Sequence, residues 1–241
     1  MRRALSVLTV LGRPAEPDER TLSWFPVVGA AVGAIVGSAW WLAGRIWAAA
    51  LAAVIAVGVD AAVTGCLHLD GLADAADGLL PAVDRERRLA IMADPHVGAF
   101  GVVALVVVLF GRTAALAATP AKPLVVVALW CGSRTLMAVV ARALPYARED
   151  GGLASSFGGS QRQTRRLSAW AGVAAYGMAA TVVLGVLGAG TRGLAVVAAE
   201  TVAMAVVVWF AWRRLGGYTG DVLGAGGVVA ETVGLLALAA R

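Results

Sequence analysis

Long apolar runs separated by short polar breaks set the pattern of this chain. A helix rises about 1.5 Å per residue, so about 20 residues cross a hydrocarbon layer roughly 30 Å thick. Runs of that length lie near Phe25–Gly44, Ile46–Leu67, Val97–Ala118, Pro123–Leu144, Leu167–Gly188, Leu194–Trp212 and Val222–Ala240. The pattern predicts an all-α, polytopic integral membrane protein with about seven transmembrane helices, in a single domain over 1–241. Almost nothing joins the first two runs, which predicts a tight helical hairpin or one broken unit. The shorter run Ala4–Leu11 lacks a small-residue cleavage site and predicts an interfacial helix. Trp24, Trp40, Trp41, Trp47, Trp209 and Trp212 lie near run ends, where an indole prefers the headgroup layer.

Composition agrees. Hydrophobic residues make up 60% and charged residues 15%, and the mean hydropathy is +0.81. A soluble domain sits near about 45–50% apolar and about 25% charged. Disorder, coiled coil, collagen and a disulfide scaffold are excluded. The 30 glycines suit close approach of membrane helices. The net charge of +5 would suggest nucleic acid in a soluble protein. Here the basic residues flank apolar runs and are not interleaved with aromatics on a soluble face, so no nucleic-acid partner is expected. Cys66 and Cys131 fall inside apolar segments and read as buried packing residues, without metal-ligand spacing.

Charge also orients the chain. One side collects Arg2, Arg3, Arg13, Arg20, Arg85, Arg87, Arg88, Arg148, Arg162, Arg165, Arg166, Arg213 and Arg214, thirteen in all. The other side has four: Arg45, Lys122, Arg192 and Arg241. The positive-inside bias predicts a multi-pass protein of the inner or plasma membrane with a cytoplasmic N-terminus. The connections Leu69–His96, Pro145–Arg166 and Arg213–Asp221 then share the cytoplasmic face.

Six of the 15 acidic residues lie between Asp70 and Asp94. In His68-Leu-Asp70-Gly-Leu-Ala-Asp74-Ala-Ala-Asp77-Gly78, a helix places Asp70, Asp74 and Asp77 at i, i+4 and i+7, on one face. These like charges repel, and no basic residue interleaves them. A divalent cation relieves that repulsion, and hard oxygen ligands suit Mg²⁺ or Mn²⁺. The alternative is a solvated acidic loop. His68 reads as a group that orients the site's ligands, as an acid/base group or as a structural histidine. Asp94, before Pro95, suits a cap on the third span as well as it suits catalysis. The segment Asp84–Met92 predicts an amphipathic helix with Arg85, Arg87 and Arg88 exposed, as topology determinants or phosphate contacts. Arg213-Arg214-Leu-Gly216-Gly217-Tyr-Thr-Gly220-Asp221 is a glycine-rich turn before an apolar helix, a place able to hold phosphate or simply to turn the chain. Asp221 suits either a metal ligand or a cap. Arg148 offers a fork matched to phosphate oxygens. Glu231 and Arg134 lie inside spans and are candidates to pair, whereas Asp60 and Glu200 have no evident partner. Carboxylates, arginines and glycine turns on one membrane face suit Mg²⁺-assisted chemistry on a phosphoanhydride.

The His68–Gly78 segment resembles the signature of the cobalamin synthase family, the adenosylcobinamide-GDP ribazoletransferases. Further resemblance lies in Phe25-Pro26-Val-Val-Gly29, Asp94–Gly101, Ser133-Arg134, Tyr146-Ala-Arg148 and Leu215–Asp221 with Gly224-Ala225. The first and last blocks are specific, and the middle ones are weak alone. Pro95-His96 departs from the family pattern, and His96 receives no catalytic role. The resemblance implies a membrane enzyme that joins adenosylcobinamide-GDP to α-ribazole or its 5′-phosphate, releases GMP, and uses Mg²⁺. Combined with the reading of the residues, it gives an expected metal set of Asp70, Asp74, Asp77 and Asp221. Asp70, Asp74, Asp77 and His68 are the catalytic candidates. Arg134, Arg148, Arg213, Gly216, Gly217 and Gly220 are the substrate-binding candidates. Membrane lipid is an expected partner, and homo-oligomers or association with other corrinoid-pathway enzymes stay open. A CDP-alcohol phosphotransferase uses similar logic, but its aspartates are more widely spaced than Asp70-Gly-Leu-Ala-Asp74. An ion-coupled transporter would use Asp60, Arg134, Glu200 and Glu231 along a path, yet no internal repeat supports one. A scaffold without catalysis is a further alternative.

Overall fold

A computed structural model describes residues 1–13, 16–18, 20–148 and 167–240, with side chains described from residue 171 in the last stretch. Arg162, Arg165 and Arg166 lie outside the described residues. Ten α-helices and one 3₁₀ turn, Leu22–Trp24, are found among the described residues, with no strand. They are α1 (Arg2–Leu8), α2 (Phe25–Ala43), α3 (Ala49–Thr64), α4 (Leu67–Leu79), α5 (Arg85–Ile91), α6 (Ala99–Ala117), α7 (Pro123–Ala143), α8 (Leu167–Ala189), α9 (Arg192–Leu215) and α10 (Gly220–Ala239).

Six stretches are long and apolar enough to cross a membrane: the 3₁₀ turn with α2, then α6, α7, α8 within Ala171–Ala189, α9 and α10. The α3–α4 pair provides a seventh if counted as one broken span. The protein is therefore a multi-pass helical membrane protein, as the apolar runs predict. Large apolar side chains such as Val107, Phe110, Leu187 and Val202 are exposed on the outer faces, where lipid replaces the missing protein contacts.

Small residues set the packing. Gly29, Gly33 and Gly37 repeat every fourth residue on α2 and so line one face. That face lies on α7. A Cβ at Gly29 would run into the Trp130 carbonyl, one at Gly33 would lie 2.8 Å from the Val127 Cα, and one at Gly37 3.0 Å from the Pro123 Cα. Backbone-to-backbone contact of this kind substitutes for a hydrophobic driving force inside a bilayer. The predicted α2–α3 hairpin is present. Trp40, expected near the headgroups, is instead buried in the core at 2% exposure.

The expected second span, Ile46–Leu67, is corrected. Its helix ends at Thr64, and Gly65 (φ 60°) and Cys66 (φ 58°) both take the left-handed conformation. The next helix, α4, leaves at 90°. Glycine adopts that conformation freely, but cysteine pays roughly 1–2 kcal/mol for it, a cost the surrounding packing must outweigh. Cys66 is exposed at this corner and is not the expected packing residue, whereas Cys131 is buried. We read α3 as the membrane segment and α4 as a helix turned across the end of the bundle, outside the membrane-spanning segments. It packs on the first turns of α10. A Cβ at Gly71 would lie 3.1 Å from the Asp221 Cα, and one at Gly224 3.3 Å from the His68 Cα.

Candidate active site at one end of the bundle

The acidic segment is helical, and α4 carries Asp70, Asp74 and Asp77 on one face as the spacing predicts. Asp70 is exposed, Asp74 is half-buried and Asp77 is buried. Asp77 has its own task. Its Oδ2 accepts from the Gly98 N–H at 2.6 Å and its Oδ1 from the Gly101 N–H at 3.0 Å. Gly98 is the N-cap of α6 and brings no side chain of its own, so Asp77 satisfies the free amides of that helix end. Asp94 does not cap α6. Its Oδ1 accepts from the His96 backbone N–H at 2.9 Å and faces His96 Nδ1 at 2.7 Å on the exposed surface.

The opposite wall comes from α10 and the segment after α7. Thr219 caps α10, accepting from the Val222 N–H at 3.2 Å. Asp221, in the first turn, accepts from Arg148 Nη2 at 2.9 Å and from the Thr219 hydroxyl at 3.2 Å. Arg148 Nη2 also donates to the Met92 carbonyl at 3.1 Å. Backbone bonds lock this wall: Tyr218 N–H to Pro145 O at 3.0 Å, and Ala147 N–H to Tyr218 O at 2.8 Å. The Tyr146 and Tyr218 rings meet edge to face, 5.4 Å apart. Gly216 ends α9 at φ 72°, and Gly217 leaves room for the Pro145 carbonyl. Gly220 is the first residue of α10. The glycine turn thus brings Arg148 to Asp221. Arg213 is not drawn in and lies over the Trp209 ring at 5.9 Å.

The electrostatics record the crowding. Burial pushes the Asp74 carboxyl up to about 6, reinforced by Asp70, Asp221 and Asp77 and opposed by Arg148. Among the described residues, no three His, Cys, Asp or Glu side chains converge into a ready metal cage. Mg²⁺ does not require one: it keeps several waters and binds through one or two carboxylates plus substrate phosphates. A surplus of carboxylates over one arginine fits a cation of this kind.

Other arginines expected on this face serve the backbone. Arg88 is buried, contrary to the expectation of exposure, and donates to the Gly78 and Leu79 carbonyls at 2.9 and 2.7 Å. Arg214 also donates to the Leu79 carbonyl. Arg85 reaches Leu215 O at 2.9 Å and Ala147 O at 2.7 Å. Cations are favourable at helix C-termini, and these side chains hold the ends of α4 and α9.

Deeper in the bundle lies a second charged group. Glu231 pairs with Arg134, as its position inside a span predicts, and also with Arg112. Arg112 was not singled out by sequence reasoning, although an arginine inside the third apolar run was the available signal. It binds Asp60 at 2.7 Å and Thr232 Oγ1 at 2.9 Å. Trp130 Nε1 donates to Asp60 at 2.8 Å and Ser133 to Glu231 at 2.7 Å. Asp60 is therefore partnered after all. Glu200 is fully buried where α9 meets Gly132 of α7 and Thr181 of α8. His68 is buried at 4% exposure, with Nδ1 3.5 Å from Arg134 Nη2. At 3.6 residues per turn it lies about 120–180° around α4 from the three aspartates.

These features define a polytopic helical membrane protein with an acidic, arginine-bordered site at one end of its bundle. The family comparison narrows that class. The family model described as cobalamin-5-phosphate synthase matches residues 1–239, and the chain belongs to that family. A relative from Chlorobium phaeovibrioides, named adenosylcobinamide-GDP ribazoletransferase, is 38% identical over 237 residues, covering 95% of this chain and 91% of its own. Relatives of the same name occur in Novosphingobium aromaticivorans, at 38% identity over 91% of this chain and 84% of their own length, and in a Roseiflexus species, at 34% over 98% and 86%. No solved structure gives a significant match.

Proposed function

We infer that the chain carries out the reaction named for its relatives, joining adenosylcobinamide-GDP to α-ribazole or its 5′-phosphate with release of GMP. The observation that carries the site assignment is the surplus of carboxylate at the α4–α10 crossing. Asp70, Asp74 and Asp221 press against one another with one arginine, Arg148, between the two walls. One or two of these carboxylates would hold Mg²⁺, with water and the substrate phosphates completing its shell, and Asp77 anchors the helix that carries two of the three. When bound, Mg²⁺ supplies charge neutralisation to the diphosphate and to the leaving GMP.

The chain's own groups do the rest. Arg148 turns its guanidinium between Asp221 and the Met92 carbonyl and is placed to take a diphosphate oxygen. The α10 N-terminus behind Thr219 adds backbone N–H groups of the sign an anion needs. A ribose hydroxyl of the acceptor attacks the cobinamide-side phosphorus. A phosphodiester bond forms, the phosphoanhydride breaks, and GMP departs. Asp70, the exposed carboxylate of the face, accepts the hydroxyl proton. The thirteen-to-four charge asymmetry supports a cytoplasmic N-terminus, and this end of the bundle then faces the cytoplasm. Membrane lipid covers the exposed apolar faces. Asp60, Arg112, Arg134 and Glu231 pair with one another inside the spans, which favours an enzyme over a transport path.

The test is direct. Protein purified in detergent is mixed with adenosylcobinamide-GDP, α-ribazole 5′-phosphate and Mg²⁺, and GMP and corrinoid product are followed by chromatography. Product that vanishes with EDTA supports the reading. No product from folded protein refutes it.

A further inference from the structure

His68 sits in the signature segment, two residues before Asp70, and so invites an acid/base role. Its geometry gives it another. The imidazole turns away from the aspartate face into the bundle, where Nδ1 meets Arg134 Nη2 at 3.5 Å and Nε2 makes no hydrogen bond. Guanidinium is donor-only. The nitrogen facing it must therefore be the acceptor, which leaves the ring proton on Nε2. Arg134 is itself clamped from the other side, with Nη1 bound to Glu231 and to Ser133 Oγ at 2.7 Å. Glu231 is bound in turn by Arg112, which also holds Asp60.

This chain of contacts starts from α3, α6, α7 and α10 and reaches α4 at one point, His68. That point lies immediately after the left-handed corner at Gly65-Cys66, where α4 leaves α3. It also lies where α4 crosses Gly224 of α10, one turn beyond Asp221. We propose that His68 and Arg134 are positioning residues: the buried ion network grips α4 through the Arg134–His68 contact and thereby sets Asp70 and Asp74 against Asp221. His68 does not take the acceptor's proton. The inference rests on the reading of those three carboxylates as the cation site.

The protein carries its own reporter. Cys66 is exposed at the corner and Cys131 is buried, so a nitroxide reagent labels Cys66 in the intact chain. We compare the protein with His68→Asn, His68→Leu, Arg134→Gln and the His68→Leu/Arg134→Gln double variant. Two quantities are read: the mobile fraction of the spin-label spectrum, and the Mg²⁺ concentration for half-maximal turnover. Asn at 68 places its Oδ1 where Nδ1 stands and keeps an acceptor for Arg134, so both readouts stay near those of the parent. Leu at 68 raises the mobile fraction and shifts half-activation upward, on the order of tenfold, the usual cost of losing an outer-shell partner. Arg134→Gln gives the same change, and the double variant gives no more than either single one. A parental spectrum and Mg²⁺ response in His68→Leu overturn the proposal. So does His68→Asn that abolishes turnover with an unchanged spectrum, because that result returns the proton to His68. If the spectra change as expected while parental turnover ignores Mg²⁺, the grip on α4 stands and the cation site falls.

Discussion

Two charged regions of this protein invite comparison. The buried network sets Arg112 and Arg134 against Asp60 and Glu231, two charges against two, with Trp130, Ser133 and Thr232 taking further bonds. The end of the bundle sets Asp70, Asp74 and Asp221 against Arg148, three against one, with Asp77 already spent on α6. Within the buried network the charges are matched almost bond for bond, as an unpaired ion there would be too costly; Glu200, buried apart from that network, has no hydrogen bond at either carboxylate oxygen. Where water enters, the chain leaves negative charge unmatched. The first arrangement holds helices together; the second waits for a cation. Charge balance, more than the presence of charge, separates scaffold from site.

The largest expected effect falls on the unmatched region. Asp74→Asn and Asp221→Asn each lower turnover by at least about 100-fold, the upper end for outer-shell changes, with retention volume on size exclusion unchanged. Next comes the matched region. Glu231→Leu leaves Arg134 without its carboxylate partner and Arg112 with Asp60 alone, and destabilises the fold by about 3–5 kcal/mol, read from denaturant unfolding in micelles. Third is the pH dependence. The Asp74 carboxyl, pushed up to about 6, takes a proton on the acid side, and that proton competes with the cation. The Mg²⁺ concentration for half-maximal turnover therefore rises as pH falls through 6, by about tenfold per unit below it, and levels off above pH 7. The dependence disappears in any residual activity of Asp74→Asn. The smallest effect is Asp77→Ala, which removes the cap on α6 and costs about 1–2 kcal/mol of stability while leaving the Mg²⁺ requirement of the folded fraction in place.

Much of this was legible from residue spacing. The membrane helices follow apolar runs, and the shared face of Asp70, Asp74 and Asp77 follows from helical periodicity. The Glu231–Arg134 pair follows from the cost of ionised groups inside spans. The rest depends on contacts that spacing does not encode. The Gly65-Cys66 corner is a backbone conformation inside a continuous apolar run. The choice between Asp94 and Asp77 as the α6 cap went against the local rule: the adjacent Asp-Pro turned on itself, and a carboxylate 21 residues earlier reached the amide. Arg88 and Arg214 look like surface charge until the carbonyl ends of α4 are seen beneath them. His68 shares a motif with the aspartates but lies on the other side of their helix.

The most direct measurement is Mn²⁺ binding, followed by the electron paramagnetic resonance signal of the free ion, in lipid nanodiscs with no substrate present. The parent, Asp74→Asn and Asp77→Asn are compared at pH 7.5. The account predicts that the parent binds, that Asp74→Asn loses the site, and that Asp77→Asn keeps it. Binding that survives Asp74→Asn but fails with Asp77→Asn would contradict the account, because the cation would then sit on the helix anchor and not on the unmatched face.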